Sequence, residues 1–167
     1  MPLRARDARG RVAKVITVAG NLRIACDQFN AGQYYDCHET LEEIWQEEAG
    51  EVRDLYKGLI QLAAAFVHLS RANYAGAERL LRTAAEYLET YRPAALGFDI
   101  ERIAPTAVDC RARLLELGPG RAADFDLATA PHWDVDEAAL AAESIRWRAW
   151  GFTREGLSEP MTIEVIE

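Results

Sequence analysis

Lysine is nearly absent from this chain of 167 residues, where Lys14 and Lys57 stand against seventeen arginines. That imbalance reads as codon usage more than as function. The cations form no basic cluster, and the net charge is −8. An acidic balance argues against nucleic acid and anionic membrane surfaces as partners, because both attract a basic face. No long apolar run exists. The stretch from Val15 to Ala19 is too short for a signal core or a membrane span, so the expected compartment is the cytoplasm. Cysteine is limited to Cys26, Cys37 and Cys110, which show no paired or metal-ligand spacing. On helical segments they read as small core residues in a reducing environment. A glycine-rich phosphate loop is missing, and Ser70 and Ser144 have no nucleophile-elbow or triad context.

What is present is helix. Half the residues are hydrophobic and 28% are charged, and the length suits one domain with a real core. Periodicity predicts helices over about Ala8 to Asn30, Gln33 to Glu48, Glu51 to Ala72, Tyr74 to Tyr91 and Ile100 to Leu117. A weaker one follows over Val135 to Trp150. The expected fold is all-α: a bundle of five to six helices with an irregular C-terminal segment. Two antiparallel hairpins would stack in a tetratricopeptide-like manner, capped by the fifth helix and the tail. A faint echo between Phe29-Asn-Ala-Gly-Gln-Tyr34 and Ala72-Asn-Tyr-Ala-Gly-Ala77 supports that arrangement.

Residues 1–120 form the expected core domain. Residues 121–167 are an extension, packed on the core or at an oligomer interface. Its last residues, Pro160 to Glu167, alternate like a strand with no evident partner in the sequence. His132-Trp133 reads as a surface or interface pair, and Trp147 with Trp150 as a packing anchor.

The polar residues of the second and third helices carry the functional reading. Tyr34, His38, Leu41 and Trp45 share one helical stripe, so His38 lies among apolar neighbours and requires a partner. Arg53, Lys57, Gln61 and His68 align on one face of the third helix. Mirroring the two helices about Ala49-Gly50 sets His38 level with Gln61, Glu42 with Lys57, and Gln46 or Glu47 with Arg53. His68 falls about seven residues further on, roughly 10 Å at 1.5 Å per residue. Three readings stay open. His38, Glu42 and His68 could ligate a divalent metal ion if the register slips, since ligand atoms must come within about 2 Å of the ion. The seam could be purely structural, with Gln61 satisfying His38 and Lys57 or Arg53 neutralising Glu42. Or Arg53 and Lys57 could hold a small anionic ligand.

These residues also carry a resemblance. Phe29-Asn-x-Gly32-x-Tyr34-Tyr35-x-x-His38-Glu39-x-Leu41-Glu42-x-x-Trp45 is followed by Arg53-x-Leu55-Tyr56-x-Gly58-Leu59-Ile60-Gln61-Leu-Ala63, His68 and Asn73-x-x-Gly76-Ala77. The pattern resembles a bacterial and archaeal family, domain of unknown function 309, from about Ala25 to Leu88. The resemblance implies an all-α bundle and no reaction. Its characteristic positions fall on His38, Glu39, Glu42, Trp45, Arg53, Gln61 and His68. The ligand-binding set is therefore His38, Glu39, Glu42, Arg53, Lys57, Gln61 and His68. The alternative is an interaction module whose seam only fixes helix packing. A third reading is self-association through the Trp-rich C-terminal segment into a homo-oligomer.

Overall fold

A computed structural model of the chain describes residues 5–6 and 11–166. Six helices dominate it: α1 (Val18–Asn30), α2 (Tyr34–Trp45), α3 (Arg53–Ser70), α4 (Tyr74–Glu89), α5 (Ile100–Leu117) and α6 (Glu137–Trp147). Each of the first four packs on the next along the chain. Three-residue turns join α1 to α2 and α3 to α4, which forces each pair into an antiparallel hairpin.

The two hairpins repeat with a period of forty residues. Val18, Leu22, Ala25, Cys26 and Phe29 of α1 are buried, and so are Gly58, Leu62, Ala65, Phe66 and Leu69 at the matching positions of α3. Cys37, Leu41 and Ile44 of α2 match buried Ala77, Leu81 and Ala84 of α4. Both turns use a positive φ at equivalent places, Gly32 at 78° and Ala72 at 54°. The echo in the sequence is thus real but shifted: Gly32 corresponds to Ala72, not to Gly76. Glycine at position 76 serves another end. A Cβ there would meet the His68 ring at 2.7 Å. Helix α5 packs on α4 and buries Ile100, Ile103, Ala104, Ala107, Cys110 and Leu114.

Helix starts follow the capping rule. Thr17, Asn73, Asp99 and Asp136 each accept a backbone N–H from the first turn of α1, α4, α5 and α6.

Two expectations are corrected. Residues 11–16, assigned to the first helix, form a strand; the earlier part of that assignment, residues 8–10, lies outside the described residues. The β-branched Val12, Val15 and Ile16 favour the pleated surface. The C-terminal strand also has an intrachain partner. Strands β1 (Ala5–Arg6), β2 (Arg11–Ile16), β3 (Ala94–Ala95), β4 (Phe98–Asp99) and β5 (Met161–Ile166) include a three-stranded sheet of order β1-β2-β5, with β2 and β5 antiparallel and Lys14 opposite Ile163. Val12, Ile16 and Ile163 face the core.

The extension clings to the helices. Trp133, expected at a surface, is 1% exposed and lies flat on Phe29 at 4.0 Å between ring centroids. Asn30 fixes its main chain in both directions, donating from Nδ2 to the carbonyl (2.7 Å) and accepting the N–H at Oδ1 (2.9 Å). His132 remains exposed. Trp147 tilts against Tyr91, and the Trp150 N–H donates to buried Glu48 at 2.7 Å. Among the described residues no helix is long and apolar enough to cross a membrane.

Candidate functional site

The seam between α2 and α3 carries the polar residues singled out by spacing. Its focal residue is Trp45, in the last turn of α2. The Arg53 guanidinium lies 3.9 Å from the centre of its ring, and the Lys57 ammonium 4.6 Å. Cations seek the negative face of an indole, and Trp is the strongest aromatic partner for them. Arg53 and Lys57 are therefore not spent on Glu42, as a neutralising seam would have required. Neither makes an ion pair among the described residues. Two like charges at i, i+4 cost about 0.2–0.5 kcal/mol when exposed, so the indole holds together cations that repel each other.

His38 meets Glu42 instead, Nε2 to Oε1 at 3.3 Å along one face of α2. Its ring is stacked with Tyr35, centroids 6.0 Å apart. The Glu39 carboxylate beside Tyr35 raises the phenol above its ordinary range. Gln61 does not satisfy His38. Three buried atoms of the seam, His38 Nδ1, Trp45 Nε1 and Gln61 Oε1, make no hydrogen bond among the described residues. A buried polar group left without a partner costs about 1–3 kcal/mol. Three on two facing helices are a concentrated deficit.

His68 is drawn elsewhere. Its Nδ1 faces Asn73 Nδ2 at 2.9 Å, and its ring rests on Gly76 at the start of α4. Burial lowers its pKa, helped by Arg71 and Arg79. The trio His38, Glu42 and His68 is thus not brought together. Among the described residues no group of three or more His, Cys, Asp or Glu side chains could hold a metal ion. The cysteines are free thiols, all buried. Burial pushes Cys26 up to about 12 and Cys37 higher, so both stay protonated and unreactive at neutral pH.

Spacing brought Glu39, Glu42, Arg53, Lys57 and Gln61 to the right helices but missed Trp45 as the platform. Its signal was its place on the His38 stripe, seven residues on, beside the turn to two cations. Glu43 was missed too. It accepts from Lys14 Nζ (2.9 and 3.0 Å) on β2 and from Asn21 Nδ2 (3.2 Å) on α1, joining three elements.

Fold and seam together define a small helical-hairpin domain with an aromatic-cation cluster between its second and third helices. Residues 22–80 match the family model described as a domain of unknown function (DUF309). The match begins within α1, ends within α4 and contains the whole seam. A 73-residue segment is 42% identical to "Uncharacterized protein YpuF" of Bacillus subtilis (strain 168), covering 42% of each protein. The chain thus spans about two fifths of that relative's length. No solved structure matches the chain.

Proposed function

We propose that the domain binds a small anionic ligand, a phosphate or carboxylate, at the Trp45 end of the α2–α3 seam. The observation that carries this reading is the pair of cations, Arg53 and Lys57, gathered on one indole with no carboxylate partner among the described residues. An oxyanion would relieve their repulsion, and Arg53 can meet it with a two-pronged donor set. Trp45 Nε1, a buried N–H without a partner among the described residues, adds a third donor. His38 and Glu42, bonded to each other, would bound the site on the α2 side.

The test is a titration of the protein with sodium phosphate at constant ionic strength, read on the Trp45 indole N–H signal by NMR. A saturable shift that disappears in the double variant Arg53→Gln, Lys57→Gln is the expected result. A linear response, equal for phosphate and chloride, would sink the proposal.

A second reading rests on the forty-residue recurrence of the hairpins. Stacked helical repeats commonly serve as interaction surfaces. Under that reading the Arg53 and Lys57 double variant keeps partner binding intact.

A further inference from the structure

The three-stranded sheet stops at β5. Among the described residues no strand pairs with its outer edge, which leaves a row of backbone donors and acceptors beside α2. Between that edge and α2 lies a cleft of about 300 Å3, with Ile163 and Val165 on the strand side and Glu39, Glu42, Glu43 and Glu47 among the residues on the other. At 100° per residue Glu39 and Glu43 lie on the flank of α2 turned away from the His38 and Trp45 stripe, with Glu42 between flank and stripe and Glu47 in the turn that follows the helix. The cleft thus meets the seam described above at Glu42, the partner of His38.

We propose that this edge takes an extended basic peptide as a fourth strand, its cations lying over the acidic flank of α2. The sheet already makes one such contact internally. Lys14, on β2, points from the core-facing side of the sheet and reaches Glu43 at 2.9 Å. A strand added beyond β5 would set its core-side side chains next to Ile163, on the cleft that Glu39 and Glu47 line.

The dimensions agree. Same-face side chains on a strand recur every 6.6–6.8 Å or so. Glu39 and Glu43 are separated by about 6 Å along the helix, and Glu47 follows in the turn just past its end. Lysine or arginine at alternate positions therefore reaches Glu39 and Glu47, on either side of the Glu43 that Lys14 already holds. Backbone pairing would supply affinity, and the acidic flank the selectivity for basic side chains.

The experiment uses the full chain and a fluorescein-labelled seven-residue peptide with lysine at alternate positions, followed by fluorescence anisotropy at low salt. Two further peptides carry N-methyl groups on the odd or on the even residues, since only one set of N–H groups can face the edge. The expected outcome is saturable binding that one methylated peptide loses at least tenfold and the other keeps. Replacing exposed Glu39→Gln and Glu47→Gln together should weaken the parent peptide at least tenfold while circular dichroism stays unchanged. Equal affinities for all three peptides would mean attraction of charge alone and overturn the proposal. So would an equal loss in both methylated peptides, or no binding.

Discussion

One carboxamide, that of Asn73, settles the state of His68. Its Oδ1 accepts the Gly76 N–H at 3.3 Å as the cap of α4, so its Nδ2–H must face the histidine. His68 Nδ1 can only accept at 2.9 Å, which fixes a neutral ring protonated at Nε2. Protonation would turn a donor against a donor, in a partly desolvated place flanked by Arg71 and Arg79. The folded-state pKa is therefore below the unfolded one, near 6.5. The unfolded chain binds the proton more readily, so this contribution is complete above that value and is lost as the pH falls below it. Urea unfolding at pH 7.5 and 5.5 should show a drop in stability that His68→Asn removes. An unchanged drop in that variant would place the titrating group elsewhere.

At the scale of elements, one buried carboxylate ties the turn after α2 to the segment after α6. Glu48 accepts the Gly50 N–H at 2.8 Å and the Trp150 N–H at 2.7 Å. Replacing Glu48 by alanine leaves two N–H groups without partners at about 1–3 kcal/mol each. Glu48→Ala should thus lower the unfolding free energy by roughly 2–4 kcal/mol and speed hydrogen exchange at the Trp150 amide. The turn itself was legible in the sequence from Ala49-Gly50, and α5 from its periodicity. The carboxylate's role was not, because its partner lies about a hundred residues away and donates from the main chain, which leaves no mark on residue type. Trp133 escaped for a related reason. A lone Trp beside Pro131 has no period, and only the fold shows that Phe29 lies beneath it. In the seam, spacing found the helices and levels but not the outcome of a competition. Arg53 and Lys57 had Glu42 and Trp45 within the same helical turn, and the indole face won.

For the molecule as a whole, the sheet joins the two ends of the described chain. Strand β5 covers one side of β2, and Ile163 shares the core with Val12 and Ile16. Deleting residues 160–167 removes one buried isoleucine and uncovers its neighbours, a change of about 2–5 kcal/mol by analogy with large-to-small core substitutions. The truncated protein should unfold at lower urea and be cut by protease within residues 11–16 sooner than in the helices. Equal resistance at both places would mean that the strand pair adds little to stability.

The same pairing sets an order of events during synthesis. The hairpins are local and can close as they emerge, whereas β2 waits for a partner made roughly 145 residues later. At about 5–20 residues per second that delay is on the order of ten to thirty seconds. Throughout it, Val12 and Ile16 sit on a strand with an open edge, next to helices that have already found their places. The sheet is the last part of the fold to be completed, and the period before it closes is when a nascent chain is most exposed to pairing with the wrong neighbour.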